Sequence, residues 1–245
     1  EVVLEPVASA NAVLHDDERD LGVVLVDMGG GTTDLAIYSE GSNVFTSVIV
    51  MGGHRVTQDI AHGLRTSVSE SEMIKRQHGC ALLSLLEHDE IIQVPGVGPR
   101  PPREFQRRFL AEIIEPRVEE ILELARQELV ASGFLELAAS GVVLTGGAAQ
   151  MMGMTEIAED IFQMPVRLGT PVYADGNGRE IGLTEGGFAS VIQDPKFATG
   201  VGLVLYGARH EPVEMEFDVP SVRERAAAGG PSFSRRIFER VREMF

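Results

Sequence analysis

Residues 21–38 read LGVVLVDMGGGTTDLAIY, and this stretch decides the fold. Two short runs of aliphatic and β-branched residues, 23–26 and 35–38, flank three consecutive glycines and two threonines. Short apolar runs bounded by glycine are typical of strands joined by a tight turn. A carboxylate stands at the turn end of each strand, Asp27 before the glycines and Asp34 after them. The stretch therefore predicts a β-hairpin with a polar, glycine-rich turn.

The chemistry of this turn suits a phosphate group. Glycines let the backbone approach a ligand closely and turn its N–H groups inward, and threonine hydroxyls add further donors. The flanking carboxylates, Asp27 and Asp34, suit a hydrated Mg²⁺, because this ion keeps most of its water ligands. A P-loop is excluded because no lysine follows the glycines, and a dinucleotide fingerprint because its glycines open a helix. An ordinary glycine-rich hairpin remains the alternative interpretation.

Composition sets the class of protein. The 245 residues, 44% hydrophobic and 24% charged, are typical of a globular protein with a sizeable core. The net charge of −16 argues against nucleic acid as a partner, since binding its phosphates requires clustered positive charge. The single cysteine, Cys80, favours a reducing compartment, and no apolar run is long enough for a transmembrane helix. Because the chain begins with Glu1 in the middle of a motif, we interpret it as a fragment.

Three further segments carry possible binding residues. Gly52 and Gly53 precede a predicted helix over 54–64, as expected where a helix N-terminus approaches phosphate, although a plain turn fits equally well. A polar helix is predicted over 67–77, capped by Ser69 or Ser71, and Glu72, Lys75 and Arg76 lie on its adjoining faces. The strand over 142–144 runs into Gly146, Gly147 and Ala148, a junction that favours close approach to a nucleoside.

The remaining segments give a coarser outline. We predict a short strand before Glu5, an alanine-rich helix after Pro6, and an exposed polar turn over 15–20. Strands are predicted over 43–50, 81–86 and 90–94, and helices over 105–114, 118–129 and 194–207. Pro116 either kinks the first of these helices or begins the second.

Five arginines form the densest basic group before the C-terminus. We call Arg100, Arg103, Arg107, Arg108 and Arg117 the arginine group. This group is either a solvated helix face or a dock for an acidic peptide.

The last thirteen residues form an amphipathic pattern. Viewed as a helix, residues 233–245 place their large apolar side chains within one arc, and all six charged residues occupy the remainder. The apolar side chains are Phe233, Ile237, Phe238, Val241, Met244 and Phe245. A helix of this kind that carries four arginines favours binding at a membrane surface, and a docked tail helix is the alternative.

These motifs together resemble a known superfamily. The DMGGGTTD hairpin, the EPVASANAVL helix before it and VVLTGGAAQ after it resemble the phosphate, connecting and adenosine motifs of the actin-like ATPases. Adding KRQHGCALLS, RPPREFQRRFLAEIIEPR, DPKFATGVGLVLYG and the terminal helix, the chain resembles the FtsA family of bacterial actin-like cell division proteins. The resemblance implies an α/β, ribonuclease H-like fold, of which this chain is one half with an inserted smaller subdomain.

The resemblance also implies a site for ATP and Mg²⁺ and a division into subdomains. The nucleotide would contact Asp27, Gly29, Gly30, Gly31, Thr32, Thr33, Gly52, Gly53, Glu72, Lys75, Arg76, Gly146, Gly147 and Ala148, with Asp27 near Mg²⁺ through water. The expected divisions are a connecting helix over 1–20, subdomain IIA over 21–56 and 140–210, subdomain IIB over 57–139, a linker over 211–230, and a membrane helix over 231–245.

The implied function is to anchor the FtsZ ring to the cytoplasmic face of the inner membrane at the division site and to recruit later division proteins. Arg103, Arg117 and Glu120 would bind the C-terminal tail of FtsZ, the actin-like body would self-associate into filaments, and Phe233, Ile237, Phe238, Val241 and Phe245 would enter the membrane surface. Since the first half of such an ATPase is missing, we expect weak or no ATP binding alone, at most weak ATPase activity, and no nameable catalytic residue. The alternatives are a pilus-assembly or cell-shape ATPase and a sugar-kinase-like phosphotransferase.

Overall fold

The predicted hairpin is present and forms the centre of a sheet. The computed structural model describes residues 2–88, 90–174, 180–181 and 189–209. Strands β1 (Val23–Met28) and β2 (Thr33–Ser39) pair antiparallel, with Asp27 opposite Asp34. A third strand, β3 (Ser42–Ile49), pairs antiparallel with β2, as the sequence predicts.

Two strands from a distant part of the chain complete the sheet. They are β6 (Val142–Thr145) and β7 (Val166–Leu168), which follow β4 (Ile91–Val94) and β5 (Arg103–Gln106) in chain order. The strand order is β3-β2-β1-β6-β7, and β6 lies parallel to both of its neighbours. Because β6 is parallel to β1 with Thr145 beside Asp27, the motif after residue 145 reaches the same end of the sheet as the glycine turn.

Helices cover both faces of this sheet. Their bounds are α1 (Glu5–Val13), α2 (Asp16–Leu21), α3 (Gly53–Leu64), α4 (Val68–His78), α5 (Arg107–Ser132), α6 (Met154–Phe162), α7 (Ala189–Ile192) and α8 (Ala198–Arg209). Short strands β8 (Tyr173–Ala174) and β9 (Glu180–Ile181) form a separate pair, as do β4 and β5.

Alternation along β1 explains the layers. Val24 and Val26 face a core shared with α3, α5 and α6, whereas Val23 and Leu25 face α1 and α8. Small residues allow α1 and α8 to pack closely, since an added Cβ at Gly202 would lie only 1.7 Å from the Ala8 carbonyl oxygen. The predicted alanine-rich helix therefore packs closely against α8, and the α/β fold is a three-layer sandwich.

Four local predictions need correction. Residues 2–4 form no strand, and residues 16–20 form most of helix α2, where the Glu18 carboxylate accepts from the His15 N–H at 2.9 Å. Residues 81–86 contain a 3₁₀ turn, Leu83–Leu85, instead of a strand. Helix α4 is capped by the Ser67 hydroxyl, two residues before Ser69 and four before Ser71, the predicted caps.

Pro116 does not begin a second helix, which was one of the two predicted alternatives. A single helix, α5, runs from Arg107 to Ser132 with Pro116 inside it, so no second helix begins there. Buried side chains on both sides of the proline, including Ile114 and Val118, anchor this helix to the core. Tertiary packing therefore offsets the backbone hydrogen bond that proline cannot make.

Within the described residues, no helix combines the length and apolarity needed to cross a membrane. The predicted linker (211–230) and amphipathic helix (231–245) lie outside the described residues.

Candidate functional site

The glycine turn is held against the start of α3. The Gly29 N–H donates to the Thr32 carbonyl at 2.9 Å and closes the turn. The Gly29 and Gly30 carbonyls accept from the N–H groups of Gly53 (3.0 Å) and His54 (2.8 Å). An added Cβ at Gly52 would lie 2.7–2.9 Å from three carbonyl oxygens of the turn. This close backbone contact explains why glycines stand on both sides of the junction.

The Asp27 carboxylate is buried and faces the helix layer. Its Oδ2 accepts from the Ser9 hydroxyl of α1 at 2.5 Å, and the Thr199 hydroxyl of α8 lies 3.4 Å away. Burial raises the pKa of Asp27, the Ser9 hydrogen bond opposes this, and the negative charge of Asp34 raises it further. Asp34 accepts from the Thr32 hydroxyl at 3.0 Å, and burial raises its pKa as well. The two carboxylates therefore repel each other at the base of the turn.

Glu5, at the start of α1, belongs to the same electrostatic group. Burial raises the pKa of Glu5, and the charges of Asp34 and Asp27 raise it further. In residues 2–88, 90–174, 180–181 and 189–209, no three His, Cys, Asp or Glu side chains are arranged to hold a metal ion directly.

Gly146 connects the second glycine motif to this point. It has a positive φ of +90°, and an added Cβ would lie 2.4 Å from Asp27 Oδ1 and 2.5 Å from the Met28 carbonyl oxygen. Only glycine fits such a position without movement of the neighbours. The backbone of this motif therefore lies directly against the end of β1.

A polar network joins α3 and α4. The Lys75 ammonium donates to the Gly53 carbonyl (3.0 Å) and the Thr57 hydroxyl (2.9 Å), and it pairs with the Glu72 carboxylate (2.7 Å). Arg76 pairs with the other oxygen of Glu72 at 2.8 Å. Although burial opposes the shift, hydrogen bonds from Lys75, Thr57 and Arg76 lower the pKa of Glu72 to about 2. The Glu72 carboxylate therefore stays charged at neutral pH.

These elements enclose a cleft of about 630 Å³. Eight of the fourteen predicted nucleotide residues line it: Gly29, Gly30, Gly53, Glu72, Lys75, Arg76, Gly147 and Ala148. The other six lie outside the lining: Asp27, Gly31, Thr32, Thr33, Gly52 and Gly146. Of these, Thr33 is fully buried, and its hydroxyl donates to the Met51 carbonyl at 2.8 Å. Three separate predicted motifs thus meet at one cleft.

Sequence reasoning missed part of the lining. The polar residues not foreseen are His54, Gln77, Arg107, Gln150, Asp194 and Lys196. Arg107 donates to the His78 carbonyl (2.9 Å) and pairs with Glu90 (3.1 Å), and Lys196 pairs with Asp194 at 2.6 Å. The sequence contains one signal for this part of the lining, the rarity of lysine. Its only two lysines are Lys75 and Lys196. Both line the cleft.

The predicted partner residues are engaged within the chain. Arg103 lies on strand β5 and not on a helix, and its guanidinium donates to the carbonyls of Leu64 and Arg65, where α3 ends. Arg117 pairs with Asp59 of α3 at 2.5 Å and with Glu120.

The five predicted membrane residues lie outside the described residues: Phe233, Ile237, Phe238, Val241 and Phe245.

Comparisons with solved structures confirm the predicted fold. MreB5 of Spiroplasma citri bound to ADP superposes with a TM-score of 0.62 at 20% identity, over 84% of this chain and 59% of that chain. A double helical filament of MamK superposes with a TM-score of 0.60 at 16% identity, over 86% and 60% of the two chains. At these identities the likeness shows an actin-like fold and nothing more.

Comparisons with curated sequences are more specific. The cell division protein FtsA of Pseudomonas aeruginosa is 47% identical over 219 residues, which are 89% of this chain and 50% of the relative. FtsA of Escherichia coli K12 is 40% identical over 253 residues, 100% of this chain and 56% of the relative. The chain therefore spans about half the length of the curated relatives it matches.

The family comparison agrees with these relatives. Residues 24–202 match the family described as cell division protein FtsA. The relatives do not favour the alternatives, a pilus-assembly or cell-shape ATPase or a sugar kinase. Because the family match covers well over half of the sequence, this chain belongs to the FtsA family.

Proposed function

We propose that this chain is the ATP-binding half of an actin-like cell division protein that anchors the FtsZ ring to the membrane and recruits later division proteins. The observation that carries this proposal is the meeting of three predicted motifs at one cleft. The glycine turn supplies one wall, the Glu72 network a second, and the segment after β6 a third. Each motif is unremarkable alone, but their convergence on a common cavity suits a ligand with separate phosphate and nucleoside parts.

Charge supports an anionic ligand. Four cationic and two anionic side chains line the cleft, namely Lys75, Arg76, Arg107 and Lys196 against Glu72 and Asp194. The lining therefore has a net charge of +2 in a chain whose net charge is −16. A concave, positively charged site within a negative surface focuses the electric field and so attracts a phosphate group. The cleft is the natural place for ATP.

The Mg²⁺ proposal depends on the carboxylates at the base of the turn. Burial raises the pKa of Asp27, Asp34 and Glu5, and the charge of Asp34 raises the pKa of Asp27 and Glu5 further, so a cation among them relieves repulsion that the described residues leave uncompensated. Mg²⁺ keeps several waters and needs only one or two carboxylates, which fits the lack of a direct ligand cage. Asp27 would hold it through water, where the ion would neutralise phosphate charge. No catalytic residue is assigned, and the proposed activity is at most a weak ATPase.

Equilibrium dialysis of the full chain against labelled ATP and Mg²⁺ tests the cleft. We expect saturable binding with a dissociation constant weaker than micromolar, because the chain spans half the length of its relatives. Gly147→Val places an isopropyl group in the lining without backbone strain and should abolish binding. Ala131→Val, the same kind of addition on an exposed position of α5, should leave binding unchanged. Equal loss in both variants, or no binding at 10 mM ATP, would contradict the proposal.

The division role is proposed from the family. The subdomain boundaries, IIA over 21–56 and 140–210 and IIB over 57–139, are part of this proposal. We place the FtsZ tail on the surface that carries Arg103, Arg117 and Glu120, all of which belong to the β5–α5 segment. Self-association into filaments is proposed on the actin-like fold, which the MamK filament shares.

Fluorescence anisotropy with the C-terminal tail peptide of FtsZ tests the adaptor role. We expect saturable binding by the full chain that Arg117→Glu weakens at least fivefold. Arg108→Glu makes the same charge change at an exposed position of α5 and serves as the control. Equal weakening by both variants would reduce the interaction to general electrostatics, and no binding at millimolar peptide would remove the adaptor role.

Membrane attachment is proposed through residues 231–245, at the cytoplasmic face of the bacterial inner membrane. Their apolar arc and four arginines suit the surface of an anionic bilayer. In vesicle co-sedimentation with anionic lipid, Ile237→Asp should reduce the bound fraction of the full chain severalfold. Unchanged binding by this variant would contradict the proposed anchor.

A further inference from the structure

A chain of hydroxyl groups ends on the buried Asp27 carboxylate. Ser9 of α1 is fully buried, and its hydroxyl donates to Asp27 Oδ2 at 2.5 Å. The Thr199 hydroxyl of α8 lies 2.9 Å from the Ser9 oxygen and 3.4 Å from Oδ2. A serine hydroxyl has a single proton, and Ser9 gives it to Asp27, so Thr199 is the donor in the shorter contact with Ser9. The chain therefore runs from Thr199 through Ser9 to the carboxylate.

The close packing of α1 against α8 brings these hydroxyl groups together. Ala8, next to Ser9, contacts Gly202, since an added Cβ at Gly202 would lie only 1.7 Å from the Ala8 carbonyl oxygen. Thr199 and Gly202 are three residues apart and therefore neighbours on one face of α8. A larger residue at position 202 would push the two helices apart and separate Thr199 from Ser9. The small residues of the two helices thus make a polar contact possible.

The hydroxyl groups engage only one of the two carboxylate oxygens. Within the part of the chain that the structure describes, the hydrogen bonds to the Asp27 carboxylate go to Oδ2. Oδ1 lies on the side of Gly146, where an added Cβ would be 2.4 Å from it and 2.5 Å from the Met28 carbonyl oxygen. The next residue, Gly147, lines the cleft. Oδ1 therefore lies at the junction of the two glycine motifs.

The two hydroxyl groups decide which oxygen lies at this junction. The terminal torsion of an aspartate side chain is broad, so the side chain alone does not fix the direction of its oxygens. Turning the Asp27 carboxylate away would leave the buried Ser9 hydroxyl without its acceptor, which is costly in the protein interior. Asp34, across the hairpin, is held by a different hydroxyl, that of Thr32 at 3.0 Å. Each carboxylate at the base of the turn is thus oriented separately.

We propose that Ser9 and Thr199 are positioning residues for the cation, because they hold Asp27 with Oδ1 free to accept a hydrogen bond from a water ligand of Mg²⁺. The proposal rests on the proposed binding of ATP with Mg²⁺, an ion that keeps several of its waters in protein sites. Neither Ser9 nor Thr199 lines the cleft, so both act through Asp27. Loss of the Ser9 hydroxyl therefore weakens the contribution of Mg²⁺ to ATP binding and leaves Mg²⁺-free binding unchanged.

The ratio of ATP affinities with and without Mg²⁺ isolates this role. Equilibrium dialysis of the full chain would be run at ATP concentrations up to 10 mM, once with excess Mg²⁺ and once with EDTA. We expect Mg²⁺ to strengthen ATP binding by the unsubstituted chain at least tenfold. Ser9→Ala should reduce this ratio at least threefold without changing the affinity in EDTA. Ser71→Ala removes an equally buried helix hydroxyl, which bonds the Ser67 carbonyl, and should leave the ratio unchanged.

Variants of Thr199 separate orientation of the carboxylate from general destabilisation. Thr199→Val removes the second hydroxyl at similar shape and should lower the ratio less than Ser9→Ala does, whereas Thr199→Ser keeps the hydroxyl and should retain most of the ratio. Mn²⁺ in place of Mg²⁺, followed by electron paramagnetic resonance, should rank the variants in the same order. Circular dichroism melting confirms that each variant is folded.

The outcomes distinguish this role from the proposed function. An unchanged ratio in Ser9→Ala, or equal weakening of ATP binding with and without Mg²⁺, would overturn the proposal while the ATP site stands. If the unsubstituted chain binds ATP equally well with Mg²⁺ and with EDTA, the proposed cation fails and the role of Ser9 fails with it.

Discussion

The cleft and the arginine group differ in how their members were found and in what those members do. The cleft was predicted from glycines and their neighbours in order along the chain, and three motifs meet there. The arginine group was predicted from charge density, and three of its members bind within the chain. Arg103 binds the carbonyls that end α3, Arg107 binds the His78 carbonyl and Glu90, and Arg117 binds Asp59.

The comparison teaches that a sequence indicates where charge lies but not whether it is free to bind. Glycine motifs are well predicted from sequence because close backbone contacts leave no room for a side chain, as at Gly52 and Gly146. A cation is different, because its availability depends on acceptors that other segments bring. Arg117 and Arg108 illustrate this within the arginine group.

The largest expected effect comes from the backbone contact at Gly146. Gly146→Ala combines a φ of +90° with a Cβ 2.5 Å from the Met28 carbonyl oxygen, so it should lower the free energy of unfolding by about 3 kcal/mol. Gly98→Ala is the matched control, with a φ of +66° and open space, and should cost about 1 kcal/mol. Urea unfolding of both variants measures the difference. Equal costs would mean that the contact with β1 adds nothing to the strain of a positive φ.

The next effect concerns the two lysines. Lys75→Met removes three hydrogen bonds from a mostly buried network and should lower the free energy of unfolding by about 1–2 kcal/mol. Lys196→Met removes one ion pair from a half-exposed side chain and should change it by less than 0.5 kcal/mol. Thermal melting followed by circular dichroism checks both. A larger loss at Lys196 would contradict the stabilising role of the Lys75 network.

The charge on Glu72 gives a pH dependence. Its pKa is about 2 in the folded chain, below the ordinary 4.5, so the ionised carboxylate stabilises the fold. This stabilisation is fully present above pH 4.5 and is lost as the pH falls toward 2. Because Glu72 is partly solvated, we expect a loss on the order of 1 kcal/mol. Glu72→Gln should therefore flatten the decline of melting temperature between pH 5 and 3, whereas Glu123→Gln, at an exposed carboxylate on α5, should not.

The smallest effect tests the arginine group. In a double-mutant cycle, Arg117→Ala and Asp59→Ala should show a coupling energy below about 1 kcal/mol, because the pair is partly exposed. Arg108→Ala, at an exposed position, should be neutral. Urea unfolding in 0.05 M and 0.5 M salt checks the cycle, and the coupling should shrink at high salt. A coupling energy of zero at both salt concentrations would mean that the ion pair of Arg117 with Asp59 does not stabilise the fold.

Much of the fold follows from the sequence, and the reasons are physical. The strands β1, β2, β3 and β6 and the helix α3 lie within one or two residues of their predicted bounds. Residues 81–86 are apolar too, but they form a 3₁₀ turn, and one contact is the Leu83 N–H donating to Glu115 of α5 at 3.0 Å. The polar helix α2 was missed because its stability comes from a cap and from the pairing of Glu18 with distant Arg167.

The site shows the same division. Glycines and the Glu72-x-x-Lys75-Arg76 spacing are local patterns, and eight of the residues that they indicated line the cleft. Asp194 and Lys196 reach the cleft only because β6 is parallel to β1 and brings the Pro195–Phe197 turn beside its end. No local pattern predicts that approach. The resemblance named the segment but not its place in the lining of the cleft.

The most direct test of the account is one titration that reads both regions together. The uniformly ¹⁵N-labelled chain would be titrated with ATP and Mg²⁺ to 10 mM, and its amide resonances followed by NMR. The account predicts saturable shifts at Gly29, Gly30, Gly53 and Gly147, with little change at Arg100 and Arg108. Shifts confined to the arginine group, or no shifts at any concentration, would contradict the claim that this cleft is the nucleotide site.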